Sequence, residues 1–362
     1  MDFRDQTFGI EIEMTGLTRY SASHAIAEYL GTEVYYYGGT YDAYHVKDQQ
    51  DGVWKCVFDS SIFAEQMVDG ERVPVRTSGA EERNYKVELV SPICKYEDIA
   101  LVQDLVKVLR SEGAVVNSST GIHLHIGASE FSPQQLRNLV NIVASKEDLV
   151  YQALKVDSGR ESKYCKKTDS DFLERLNKKK PTTKAALQDL WYNGQDGSGT
   201  HYHDSRYRCL NLHSYFQKET VEFRAFNSEL NPEKIKAYIQ FCMSLTALAQ
   251  NQKSASPIKS KPENEKYAFR CFLLRLGMIG DEFKTTRKHL LSHLEGNGAW
   301  KNPEQALAQK ERLRAKQEKE MSLRESQQET SQEQTQQDTQ EENQEQDDQS
   351  PEMDSGFSMT MS

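Results

Sequence analysis

The chain has 362 residues, 37% of them hydrophobic, with a formal charge of −10 and a mean hydropathy of −0.76. Both deficits are local: residues 326–350 hold ten Gln and no apolar side chain, and residues 301–362 carry 7 Lys and Arg against 15 Asp and Glu, which leaves −2 for residues 1–300. A near-neutral body offers no basic footprint for duplex nucleic acid. No apolar run approaches the roughly 20 residues that span a bilayer, and MDFRDQTFGIEIEM lacks a signal peptide's apolar stretch. The six Cys (56, 94, 165, 209, 242, 271) have no zinc-ligand spacing. They read as reduced, mostly core thiols of a cytoplasmic protein.

The first strand is FGIEIEM (8–14). Ser21 before HAIAEYL and Gly31 after it bound a helix. Residues 31–53 and 60–84 carry turn chemistry and hairpin-like segments on either side of the strand WKCVFD (54–59). Within them, EVYYYGGTYDAYH reads equally as a substrate entrance or as a hairpin turning at Gly38-Gly39. YKVELVS (85–91) is a strand, IALVQDLVKVLRSEG an amphipathic helix ending at Gly113, and GIHLHIG (121–127) a strand. Ser132-Pro133-Gln134-Gln135 joins an N-cap Ser, a first-turn Pro and a Gln at N3, ahead of the periodic LRNLVNIVASKEDLVYQAL.

Residues 156–206 are polar, with the run Lys178–Lys180 and the stretch NGQDGSG, and predict loops around short helices such as 182–192. RYRCLNL (206–212) and TVEFRAF (220–226) are strands. Asn231-Pro232 starts a further helix, and others follow at 264–277 and 282–295. Strict period-2 polarity favours an antiparallel sheet with one open face over parallel βαβ units, so the expected fold class is α+β. One domain is expected over 1–305. A Gln/Glu-rich tail comes next over 306–362, helical at first and then disordered, because 315–350 cannot bury enough apolar surface to offset ordering entropy. Its last residues, GFSMTMS, are read as a segment that docks a partner protein.

Alternate strand residues point to opposite faces. Glu11 and Glu13 therefore share a face opposite Ile10, Ile12 and Met14. His123 and His125 share one opposite Ile122, Leu124 and Ile126, and Glu222 and Arg224 one opposite Val221, Phe223 and Ala225. Glu88 stands opposite Val87 and Leu89, and Asp59 ends its strand. On any single strand this pattern is an ordinary solvated face. Here that face lacks Lys, Thr, Ser and Gln, sets like charges side by side, carries an uncommon HxH, and is flanked by Gly9, Gly121 and Gly127, where a backbone or ligand approaches closely. Five acids with only Arg224 to balance them call for divalent cations, and carboxylates with an occasional imidazole suit Mg²⁺ or Mn²⁺ better than zinc. Mg²⁺ normally binds substrate phosphates too, which points to a nucleotide, and no GxxxxGK[ST] loop is present.

The series FGIEIEM, WKCVFDSSI, VELVSPI, TGIHLHIG, RYRCLNL and VEFRAFNSEL resembles, in order and over residues 7–300, the amidoligase family of carboxylate–amine ligases similar to glutamine synthetase and glutamate–cysteine ligase. The resemblance implies an antiparallel sheet funnel with two or three Mg²⁺ or Mn²⁺ ions at its waist. Glu13, Asp59 and Glu88 would hold one ion, and Glu11, His123 and Glu222 a second, beside ATP. It also implies that His125 faces the phosphates, that Arg224 neutralises the transferred phosphoryl group, and that Arg208 and Asn211 contact substrate carboxylate or nucleotide. The implied reaction joins a small-molecule or peptide carboxylate to an amine through an acyl phosphate, with no protein nucleophile.

The competing readings are a guanidino-kinase-like phosphotransferase on the same fold, a scaffold protein acting through its tail, and a metal-dependent hydrolase. His24, His45, His289 and His293 read as surface residues. His201 and His203, beside Asp204, read as a loop near the substrate mouth in preference to a zinc site.

Overall fold

A computed structural model describes residues 1–76, 79–259 and 261–347. In chain order its elements begin with β1 (Phe8–Met14), α1 (Arg19–Leu30), β2 (Val34–Gly38), β3 (Ala43–Lys47), β4 (Val53–Val57), β5 (Glu65–Val68), β6 (Glu71–Pro74), α2 (Ala80–Asn84) and β7 (Val87–Val90). The middle of the chain supplies α3 (Ile99–Ser111), β8 (Gly121–Gly127), α4 (Pro133–Leu154), α5 (Ser158–Lys163), α6 (Ser170–Lys179), α7 (Lys184–Trp191), β9 (Leu210–Asn211), α8 (His213–Lys218) and β10 (Thr220–Asn227). The rest is helical: α9 (Pro232–Asn251), α10 (Glu265–Arg275), α11 (Lys284–Leu290) and α12 (Pro303–Asp347).

Eight strands form one sheet in the order β2-β3-β4-β7-β1-β8-β10-β9, and β5 and β6 form a separate hairpin. Every pairing between these strands is antiparallel. The fold is therefore α+β, as the period-2 polarity predicts. The apolar face carries Ile10, Ile12, Met14, Val87, Leu89, Ile122, Leu124, Ile126 and Phe223, all buried. Helices α1, α4 and α9 cover it, with α3 against α1 and α9. Burying each such side chain is worth about 1.5–3 kcal/mol, which fixes the register: a one-residue slip would turn these groups outward and the acids inward.

Local chemistry sets the helix ends. Ser132 and Gln135 complete the expected reciprocal capping box of α4. Asn231 caps α9 and Pro232 starts it. Helix α1 begins one turn earlier than Ser21, because Thr18 Oγ1 accepts the Ser21 amide at 3.1 Å and so places Ser21 inside the first turn. That earlier start buries Arg19, which reaches the Asp42 carboxylate and the Lys86 carbonyl.

The strand expected over 206–212 shrinks to Leu210–Asn211. A 3₁₀ turn, Asp204–Arg206, takes its start, and Cys209 N donates to Lys166 O at 2.9 Å, outside the sheet. Five cysteines are buried and Cys271 is exposed, all of them free.

The chain divides into compact units Met1–Gly298 and Ala299–Ser362, where composition places the boundary at 305. Disorder is expected over 315–350, yet α12 runs to Asp347, built of good helix formers and i,i+4 pairs such as Arg314–Glu318 and Lys316–Glu320. The segment GFSMTMS lies outside the described residues. Among the described residues, no helix is long and apolar enough to cross a membrane.

Candidate functional site

The central strands bring the acids and imidazoles together by register alone. Glu13 lies directly across from Glu88, Glu11 from His123, and Glu222 from both His125 and Asn211. Paired residues share a face, so all of these project from the side of the sheet opposite the apolar core.

His123 is the hub. Its Nδ1 lies 3.0 Å from Glu11 Oε2 and 3.9 Å from Glu222 Oε1, and its Nε2 lies 3.8 Å from Glu13 Oε1. Ligand atoms of Glu11, His123 and Glu222 all lie within 4.8 Å of one another, as do those of Glu13, Glu88 and His123. The first group is the trio implied by the resemblance. In the second, His123 stands where Asp59 is expected. Asp59 Oδ1 instead accepts the Ser61 amide at 2.6 Å, though its charge still acts on Glu13 and Glu88.

Burial acts first on every carboxylate here, and partners decide the outcome. Glu222 is pulled down to about 2, because Arg224, His125 and His123 outweigh its desolvation. Glu11 is likewise held well below the usual carboxylate range by His125 and His123. Glu88 goes the other way, well above it, from desolvation reinforced by the charges of Glu11, Glu13 and Asp59. Glu13 is also raised, chiefly by burial, although Gly121 N donates to its Oε2 at 2.6 Å.

Residues around this core hold it in place. Arg224 is buried and ion-paired to Glu222, and Asn211 Nδ2 donates to Glu222 Oε2 at 2.6 Å. His125 Nδ1 meets Thr220 Oγ1 at 3.1 Å, which aims Nε2 into the cluster. That nitrogen lies 3.3 Å from Glu11 Oε1 but off line, and it is buried without a hydrogen-bond partner.

One participant has no counterpart among the residues the strand pattern singles out. Buried Arg160, from α5, approaches Glu13 Oε2 at 3.9 Å. It fits because residue 121 is Gly, whose missing Cβ would fall inside the Arg160 guanidinium. The glycine points to a close approach at this spot, but nothing in the polar stretch 156–206 distinguishes Arg160.

Arg208 is not brought to the cluster. Leu210 pairs with Phe223 and so lies on the helix-covered face, and Arg208 lines a cavity there, bonded to Asp169 at 3.1 Å. His201 and His203 join neither metal-competent group among the described residues. Tyr41, at the end of the β2–β3 hairpin, meets His201 Nε2 at 3.2 Å and the Tyr202 hydroxyl at 3.1 Å, and Tyr202 senses the charge of Asp59. The loop at 200–203 thus reaches the hairpin beside the acid cluster.

The donor set fits hard divalent cations: buried and half-buried carboxylate oxygens around one imidazole, more negative charge than Arg224 and Arg160 balance, and an orphaned His125 Nε2. Glu11 and Glu222 are suited to hold one ion and Glu13 and Glu88 another, with His123 placed to ligate one of the two, since a neutral imidazole offers a single lone-pair nitrogen.

No curated protein matches the chain. Solved structures that resemble it include a bifunctional glutathione synthetase from Pasteurella multocida, 12% identical with a TM-score of 0.33, over 80% of this chain and 47% of that one. The chain thus spans about half the length of that protein, and the likeness is too slight to place fold or function. The family described as "Putative amidoligase enzyme" matches residues 4–246, which take in β1 to β10 and every residue of the acid cluster. The chain belongs to that family.

Proposed function

We propose that this protein is an ATP-dependent carboxylate–amine ligase, its sheet serving as a funnel of the glutamine synthetase and glutamate–cysteine ligase type. The observation that carries this reading is the pair of overlapping carboxylate–imidazole groups on one sheet face of an amidoligase-family chain. Bound Mg²⁺ or Mn²⁺ would supply positive charge against the polyphosphate of ATP. Arg224, buried and aligned by Glu222, would offset the charge that develops on the transferred phosphoryl group. His125, oriented by Thr220, would offer Nε2 to a phosphate oxygen, and Asn211 would keep Glu222 in position.

The substrate carboxylate attacks the γ-phosphorus as the bond to ADP breaks. An amine then displaces phosphate from the acyl phosphate. No protein nucleophile is needed, in keeping with the buried Cys209 thiol, which desolvation pushes up to about 12.

The test is turnover of the purified protein with Mg²⁺, ATP and pooled amino acids and peptides. The expected result is ADP release together with a product whose mass is acid plus amine minus water. A phosphorylated product with no amide would contradict the reading and favour phosphotransfer. Glu222→Gln and His123→Ala are each expected to lower turnover by about 10²-fold or more.

A further inference from the structure

The cavity that holds Arg208 lies on the helix-covered side of the sheet edge, across the sheet from the acid cluster, and the proposed ligase chemistry makes no use of it. It has a volume of about 300 Å³, at the lower end of the range for small-molecule pockets. One wall is aromatic: Phe172 and Trp191 meet edge to face with ring centroids 5.0 Å apart. The Trp191 indole N–H is already spent on Ser205 Oγ at 2.9 Å, so the ring offers the cavity an apolar surface.

The charged groups lining the cavity divide into a mutually bonded pair and two that no described protein group answers: Asp171, which is exposed, and Arg175, which is half-buried. Asp169 caps α6 through its Oδ1 and binds Arg208 through its Oδ2, so these two charges neutralise each other. Asp171 and Arg175 lie four residues apart on the same side of α6, and both line the cavity. Among the described residues neither makes a side-chain hydrogen bond or ion pair, and Arg175 Nε is buried with no partner. An unpaired buried guanidinium nitrogen costs free energy that an anionic ligand would recover.

We infer that this cavity is a second ligand site, one that takes a free α-amino acid with an apolar or aromatic side chain. The ligand carboxylate would pair with Arg175, its ammonium with Asp171, and its side chain would lie on Trp191 and Phe172. A lone anion would meet the like charge of Asp171, and a lone cation that of Arg175. One molecule carrying both charges on groups joined through a single carbon suits two side chains one helical turn apart.

The experiment is calorimetric titration of the full-length, metal-free protein with L-phenylalanine, its carboxamide and its N-acetyl derivative. Saturable binding of phenylalanine is expected, with affinity about tenfold weaker for each derivative and for Arg175→Gln. Glu222→Gln should bind as the wild type does, which separates this site from the ligase reading. Three results would overturn the inference: no saturable binding of phenylalanine; equal binding of acid and carboxamide; or loss of binding in Glu222→Gln. Should Arg175→Gln fail to fold, Asp171→Asn tests the ammonium contact, with the same tenfold loss expected.

Discussion

Glu88 is the residue whose state depends most on what fills the site. Its half-buried carboxyl stands directly across from Glu13 and is held well above the ordinary value of 4.5 by desolvation and by Glu11, Glu13 and Asp59. A carboxyl raised in the fold contributes stability that is complete below the unfolded value and is lost as pH rises through the folded one. At neutral pH, without a cation, Glu88 is therefore a liability. Glu88→Gln is expected to stabilise the metal-free protein by about 1 kcal/mol near pH 7, or about 2–4 °C in Tm, with the gain vanishing below pH 4.5. Calorimetric melts across pH with a chelator present check this, and a lower Tm at pH 7 would contradict it.

At this scale the sequence is informative where a strand carries the residue. Period-2 alternation sets Glu11, Glu13, Glu88, His123, His125, Glu222 and Arg224 on one face, and the structure brings them together. It is uninformative where a loop carries the residue. Arg160 enters from a short helix in a polar stretch, and Arg208 sits where RYRCLNL leaves the sheet before Leu210, so strand alternation says nothing about its side.

Among the elements, β8 shows how a strand and its neighbours depend on one atom. Gly121 starts it, and its bare Cα leaves room for the Arg160 guanidinium while its N–H donates to Glu13. Gly121→Ala is expected to cost about 1–3 kcal/mol by displacing Arg160, read as a lower midpoint in urea unfolding. In the same measurement Ser132→Ala, which removes the α4 capping box, should cost about 1 kcal/mol while leaving cation binding unchanged. Helices with strong caps are legible from composition. The start of helix α1 is displaced by one turn from the expected one because Thr18 and Ser21 are both competent caps, and tertiary contacts of Arg19 with Asp42 favour the earlier start.

For the whole molecule, low hydropathy and a charge of −10 describe the end of the chain more than its body. The buried hydrophobic core extends from Phe8 to Leu294. A chain ending at Gly298 is expected to unfold in one cooperative transition within about 1 °C of the full-length Tm, and to focus at a higher pH after losing the acidic segment. A markedly lower Tm for the shortened chain would show that the core needs the acidic segment. Composition places the change at 305 and says nothing of the length of α12, because Gln, Glu and Lys suit a solvated helix and a disordered tail equally well.

The proposed chemistry depends on two cation positions, one at Glu11 and Glu222 and one at Glu13 and Glu88, with His123 between them. Titration of the metal-free protein with Mn²⁺, followed by electron paramagnetic resonance of the free ion, counts them directly. The wild type should bind two ions tightly, Glu222→Gln one, and His123→Ala should lose high-affinity binding at one of the two positions. A wild type that binds no Mn²⁺, or a His123→Ala variant that still binds two ions tightly, would contradict the site as described.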